Sequence, residues 1–403
     1  MKIPELLAPA GNMEKGLVAM EYGADALYLA GKEFGMRSQA GNFSLEELKT
    51  ILEIAHGRGV KIYVTVNVYP RNEEIDLLPP YLQKLEELQV DGIILADLGV
   101  YKLARQYAPR RRLHLSTQAN TVNYRAAQFW QELGLSRLIM ARELSGAELE
   151  RICRETEIEI EVFVHGAMCV AYSGRCLLSN VLTGRDANRG QCAQSCRWRY
   201  AVVEEKRPGQ YLPIEEDEGG THIFNSKDLR LIEYIPELVK AGVDSLKIEG
   251  RMKSSYYVAT VVRAYRLALD LYAADPKNYT LPPELLSELD KVSHRPYYPG
   301  FFVPSGAGIH RPSGSYVRDY DVVGLVQDYL LQPGQAVVDV RNKLVIGEEV
   351  EIMQPKAPNL ITTIESMVDN TTGEKLSEAH ANYVVRMPMV PVKPYSMLRL
   401  RRK

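Results

Sequence analysis

No stretch of the 403 residues approaches the roughly 18 consecutive apolar side chains of a membrane-spanning helix, so no membrane partner is expected. The opening MKIPELLAPAGNMEKG lacks the apolar region of a secretion signal, which makes a reducing, cytoplasmic location the expectation. No GxGxxG follows the first strand-like run, and this weighs against a dinucleotide-binding Rossmann fold. HExxH and GxSxG are also missing, so neither a zinc helix nor a serine elbow is available for peptide hydrolysis. Neither sign of charge is in large excess: 49 Lys and Arg against 51 Asp and Glu give a net charge of -2, which does not by itself announce a nucleic-acid partner. Cysteine is sparse too, with only five in the chain.

Four of those five lie within 28 residues, as Cys169, Cys176, Cys192 and Cys196, spaced C-x6-C-x15-C-x3-C. Structural zinc favours tight C-x2-4-C knuckles in pairs, and only the last two cysteines come near that pattern. An iron-sulfur cluster needs four thiolates and tolerates varied spacing. Arg175, Arg185, Arg189, Arg197 and Arg199 surround the group with only Asp186 opposing them, and such cations suit an anionic thiolate-ligated cluster. Zinc, disulfides and free thiols remain the alternatives. Cys153, in the helix-like ERICRE, has no partner nearby in sequence and reads as a packing residue.

Up to about residue 275, short apolar runs alternate with amphipathic stretches. The runs are ELLAP, ALYLA, KIYVTVNV, GIILA, LHLS, RLIMA, EIEVFV, THIFN and SLKIE. This repetition predicts an α/β fold of the (β/α)8-barrel type. Nine runs for eight staves place THIFN or one earlier run outside the ring. Between runs, FSLEELKTILEIAHGRG carries a capping box at Ser44 and Glu47, with Gly57 or Gly59 ending the helix. Polar residues follow the strand ends: Asn67, Asp97, Gln118, Arg142, Glu143, His165, Asn225, Lys227, Asp228, Lys247, Glu249 and Arg251. In a barrel that end is the catalytic face.

The domain plan is a catalytic barrel over 1–275 with a cysteine-rich insertion at about 166–220, a linker over 276–320 and a small antiparallel β-barrel over 321–403. Residues 203–220 read as an acidic loop or irregular hairpin. The last domain has period-two strands separated by turn signals, and its final 25 residues carry six cations and no acid, among them Arg399, Arg401 and Arg402. A small barrel with a basic tail suits contact with an RNA backbone, and equally the capping of another domain.

The segment EVFVHGAMCVAYSGRCLLS, from Glu161 to Ser179, resembles the signature of peptidase family U-32, the collagenase-like proteases. PELLAPAGN, YLAGKEFGMRSQAGNFS, NSKDL and KIEGRMKS extend the resemblance over most of the chain. A barrel followed by one β-domain is similar to the family's prephenate-dependent tRNA uridine 5-hydroxylases. That resemblance implies an enzyme for oxygen-independent C5-hydroxylation of a wobble uridine in tRNA. Prephenate would be the hydroxyl donor, and a [4Fe-4S] cluster would sit on the four cysteines. It implies tRNA and a small dicarboxylate as partners, and a paralogue or second copy as a further one. An accessory iron-sulfur protein and a U-32 type peptidase are the alternatives.

Such a reaction needs cations for the donor and room for an extruded base. Arg251 and Lys227 are the expected carboxylate clamp, with Arg37 and Arg142 behind them. His165 is the candidate proton shuttle, and Glu249 pairs with a cation or with Lys247. Gln118 and Trp198 are candidates for substrate binding, and Tyr172, Tyr256 and Tyr257 for base stacking.

Overall fold

A computed structural model describes residues 2–35, 41–169, 171, 175–198, 201–203, 211–213, 227–303 and 317–402. Eight parallel strands form a ring: β1 (Glu5–Pro9), β2 (Ala26–Leu29), β3 (Lys61–Val66), β4 (Gly92–Leu95), β5 (Arg112–Leu115), β6 (Arg137–Ile139), β7 (Glu159–Ala167) and β8 (Ser245–Ile248). Each pairs with the next, and β8 pairs with both β7 and β1, which closes the barrel. The ring uses eight of the nine candidate runs. The ninth, THIFN, with Asn225, lies outside the described residues.

Helices lie between the strands, and local chemistry sets their ends. Ser44 Oγ accepts the Glu47 N–H at 3.1 Å while the Glu47 carboxylate accepts the Ser44 N–H at 2.8 Å, opening the helix Leu45–His56 that Gly57 caps. The helix Ser255–Ala274 differs from these surface helices, since 13 of its 20 residues are buried. It needs apolar residues on most faces because the barrel packs on one side and the C-terminal sheet on another.

The barrel interior holds charge as well as hydrocarbon. Arg137 Nη1 donates to Glu5 Oε1 at 2.6 Å and to Glu161 Oε2 at 3.1 Å, and Lys247 Nζ donates to Glu161 Oε1 at 2.7 Å. Glu161 is fully buried, so removing either cation would strand a carboxylate in a dry interior. The expected partnership of Lys247 with Glu249 is not formed. Glu161 faces Lys247 across the β7–β8 pair, where Lys247 registers with Phe163, and takes the ammonium.

The register slips between Lys247 and Ile248, so that Ile248 sits opposite His165. Beyond this bulge the strand Asp228–Arg230 adds antiparallel to the end of β7, outside the ring. Residues 283–298, expected as linker, form the helix Pro283–Asp290 and a short strand, Tyr297–Tyr298, with Leu289 and Val292 fully buried. Pro283 stands at the first helical turn, where its missing N–H is harmless and its fixed φ favours a helix. The reading of 203–220 as an irregular hairpin falls mostly outside the described residues, but Ala201–Val203 and Tyr211–Pro213 do pair antiparallel.

The C-terminal strands Tyr320–Leu330, Gln335–Val340, Glu349–Met353, Leu360–Thr363, Met367–Asp369, Lys375–Leu376, Val384–Pro388 and Met397–Arg401 build one antiparallel sheet curved as a half-barrel. No pairing joins its two edge strands among the described residues. The basic tail is not uniformly exposed. Arg399 is fully buried, donating to Glu288 Oε1 at 2.7 Å and to Glu351 Oε1 at 2.8 Å, and so belongs to the domain junction. Tyr22 OH adds bonds to the carbonyls of Met353, at 2.9 Å, and Tyr395, at 3.0 Å.

Candidate active site at the barrel mouth

The carboxyl ends of the ring strands surround a cavity of about 440 Å³. Thr65 enters it from β3 and Phe163 from β7. Lys247 enters from β8, and Gln118, Arg142, Glu249 and Arg251 from the turns that follow strands. The cysteine-rich insertion forms the opposite wall, so Cys169, Cys176, Cys192 and Cys196 all face the same space as these polar groups.

The insertion is shaped by short-range bonds. Ser179 Oγ donates to the Arg185 carbonyl at 2.7 Å and accepts the Ala193 N–H at 3.0 Å, drawing the Cys192 turn back onto the helix Leu178–Thr183. Asn188 Nδ2 donates to the Cys176 carbonyl at 2.8 Å. The Gln194 N–H points at Cys192 Sγ at 3.4 Å, a contact that stabilises negative charge on sulfur. Cys169 is open to the cavity, yet loss of hydration raises its thiol pKa. The negative fields of Cys176 and Cys192 add to the rise, and Arg142 and the Ala171 N–H oppose it. Cys169 therefore lies within electrostatic reach of Cys176 and Cys192 across the wall. Among the described residues no three His, Cys, Asp or Glu side chains stand close enough to enclose one metal ion. Cys153 is remote, packed against the core, with burial pushing its thiol pKa up to about 12.

Of the residues expected to act, Gln118, Arg142, Glu249 and Arg251 reach the cavity with the four cysteines. Arg251 is only 3% exposed and donates to Asn42 Oδ1 at 2.6 Å, tying the mouth to the segment before Phe43. Gly11 lets that backbone pass, because a Cβ there would stand 2.3 Å from the Arg251 carbonyl oxygen. Tyr28 OH donates to the Ile248 carbonyl at 3.0 Å and lies 3.3 Å from Glu249 Oε2. Arg142 lays its guanidinium 3.9 Å from the Phe163 ring centroid.

His165 does not line the cavity. The bulge carries it to the outside of the ring, where it is buried among Tyr257, Tyr265 and Tyr297. Burial, and then the Arg230 charge, hold its pKa well below the usual value, which leaves a neutral ring without access to a substrate. Lys227 is half-buried and Trp198 about half-exposed, and neither is in the cavity wall. Tyr256 and Tyr257 are buried in the helix Ser255–Ala274. Arg37 and Tyr172 lie outside the described residues.

Sequence reasoning passed over Thr65, Ser116 and Tyr28. Thr65 is the one aliphatic hydroxyl on KIYVTV and lies two residues beyond Tyr63, on the same face of β3. That period was a usable signal.

Residues 11–311 match the model of peptidase family U32, and residues 318–399 match that of the peptidase family U32 C-terminal domain. The chain is 43% identical over 401 residues to tRNA hydroxylation protein P1 of Bacillus subtilis, covering 99% of this chain and 95% of that protein. It is 37% identical to tRNA hydroxylation protein P of Escherichia coli, covering 96% and 94%. A protein of Porphyromonas gingivalis named collagenase is 33% identical, covering 90% and 89%. Both domains and the whole length thus agree, and the chain belongs to peptidase family U32.

Proposed function

We propose that this protein is a tRNA-modifying enzyme that hydroxylates C5 of a wobble uridine without molecular oxygen, with prephenate as hydroxyl donor. The observation that carries the reading is the convergence of four thiols with Arg142 and Arg251 on one cavity. Full-length relatives named for tRNA hydroxylation support it.

The four thiols fit a [4Fe-4S] cluster by donor chemistry: soft ligands on one wall, with a backbone N–H directed at one sulfur. Bound there, a cluster would supply one-electron transfer. Replacing C5–H by C5–OH removes two electrons from the uridine. Prephenate that gives up its hydroxyl and its ring carboxylate leaves phenylpyruvate and carbon dioxide, two protons pass to solvent, and two electrons pass singly to two equivalents of an external one-electron acceptor. Phe163 and the apolar wall exclude water, Arg142 orients the acid, and Glu249, beside the Tyr28 hydroxyl, is the carboxylate placed for proton transfer at the mouth. An anticodon loop presents an already unpaired base, which makes extrusion into the cavity inexpensive.

Nucleoside mass spectrometry of tRNA tests the reading. Cells lacking the gene and its paralogues are expected to lose 5-hydroxyuridine-derived nucleosides, and the wild-type gene to restore them. Unchanged nucleosides would refute it. Peptide hydrolysis, suggested by the name of the Porphyromonas relative, finds no histidine in the cavity wall among the described residues to act as a base.

A further inference from the structure

The cavity contains buried hydrogen-bond donors that bind nothing among the described residues. Asn67 Nδ2 donates to Ser116 Oγ at 3.3 Å, and the Gln118 backbone N–H donates to the same oxygen at 3.4 Å. With both its lone pairs occupied, Ser116 Oγ must donate, and its acceptor is Gln118 Oε1 at 3.2 Å. The carboxamide is thereby locked with its oxygen toward Ser116 and its Nε2 group turned away. Gln118 is 6% exposed and its Nε2 has no partner among the described residues, and on β3, two strands away across β4, Oγ1 of Thr65, a residue 4% exposed, has none there either. Unmet buried donors are destabilising, and a native site retains them where a ligand completes them.

A cation enters the same cavity from the turn after β6. Thr117 Oγ1 donates to the Met140 carbonyl at 3.0 Å and the Ala141 N–H donates to the Thr121 carbonyl at 3.3 Å, stitching the turn that carries Gln118 to the one that carries Arg142. Arg142 rests on Phe163 and forms no hydrogen bond or ion pair among the described residues. Lys247, by contrast, is committed to Glu161 and Arg251 to Asn42. Ile94 and Ile139 supply apolar wall on the same side.

From this geometry we infer that Arg142, Gln118 and Thr65 form a receptor for one carboxylate of a small organic acid whose hydrocarbon body lies on Phe163, Ile94 and Ile139. One guanidinium with two neutral donors matches a planar monoanion. This deepens the reading above by assigning the acid donor, and not the base, to the β3–β6 side of the cavity.

Equilibrium binding tests it without turnover. Full-length protein, prepared anaerobically, is titrated with prephenate, with phenylpyruvate and, separately, with an anticodon stem-loop RNA. Arg142→Gln is expected to weaken binding of the acids about 30-fold to 1000-fold, the loss of one charge-assisted pair in a water-poor site. Arg142→Lys, which keeps charge without the fork, loses about tenfold or more. Gln118→Glu, nearly isosteric but anionic, abolishes acid binding. All three retain RNA affinity within about threefold, which also certifies their fold. The assignment fails if these variants bind acid like wild type, if wild type binds neither acid, or if the variants lose RNA and acid alike. Acid binding that depends on Arg142 in a protein whose deletion leaves tRNA nucleosides unchanged would uphold this site and remove only the hydroxylation reading.

Discussion

Arg142 and Arg251 both reach the cavity, and what each already holds decides what each can offer. The Arg251 guanidinium is spent on Asn42 in a nearly closed pocket, so it fixes the mouth, whereas Arg142 has only an aromatic face beneath it. The sequence places both after strands, but adjacency in sequence does not reveal partners across a ring. For the same reason Lys247 and Glu249 read as a pair while the structure gives Lys247 to Glu161. The thiols were more legible, because four rare residues in one segment need no tertiary knowledge to stand out. A specific expectation follows for them. Cys169→Ala, Cys176→Ala, Cys192→Ala and Cys196→Ala each abolish visible absorbance and bound iron, since three thiolates do not complete a four-thiolate site. Cys153→Ala keeps both, being a neutral packing thiol on the far side of the barrel wall. Iron analysis of anaerobically purified variants decides it. Iron lost from Cys153→Ala, or kept by any of the other four, would show the ligand set to be misassigned.

At the scale of elements, the bulge where β7 meets β8 determines what the most suggestive motif does. HGAMC looks like a histidine presented beside a metal ligand, yet one extra residue in the register reverses which face His165 occupies. No local propensity signals that slip. The capping box at Ser44 and Glu47, in contrast, was readable because every group in it lies within four residues. Gly166 makes the bulge feasible: its φ is +106°, and a Cβ there would stand 2.6 Å from the Glu249 carbonyl oxygen and 3.0 Å from Tyr257 OH. Gly166→Ala is therefore expected to destabilise the protein by more than about 2 kcal/mol, combining backbone strain with a contact neither neighbour can vacate. Because the clash pushes on the turn carrying Glu249 and Arg251, acid affinity should fall as well. Urea unfolding checks the first effect and calorimetric titration the second, and a variant as stable as wild type would mean that the bulge is not under this constraint.

For the whole molecule, a polar junction fastens the C-terminal sheet to the barrel. Arg399 spans Glu288 on the helix Pro283–Asp290 and Glu351 in the sheet, while Lys291 bonds both carboxylates from one side at 2.8 and 3.1 Å. Arg263 reaches the Ala357 carbonyl at 2.8 Å from the helix between the domains. The sequence offered a basic tail and suggested RNA contact, but whether a cation faces solvent or a buried acid depends on where the last strand lands. Arg401 and Arg402 do stay exposed, and Arg402 pairs with Asp321 at 2.7 Å. The junction makes stability depend on acid in a definite direction. Arg399, after the opposing loss of hydration, holds Glu288 below its ordinary pKa of 4.5 and Glu351 at about 2. Carboxyls depressed in the folded state contribute fully above the unfolded value and lose that contribution as the pH falls from about 4.5 toward about 2. Arg399→Met removes the buried cation and leaves the two partly buried carboxylates with Lys291 alone between them and Arg263 beside Glu288, which is expected to cost about 3 kcal/mol at pH 7. In that variant the acids keep Lys291 but lose Arg399, the stronger of the two cations that depress them, so their pKa values rise toward the ordinary range and protonation costs less. Its deficit relative to wild type should shrink steadily between pH 5 and pH 3. Guanidinium unfolding of both proteins at pH 7, 5, 4 and 3 measures the difference, and a deficit that is constant with pH would show that Arg399 acts by packing alone.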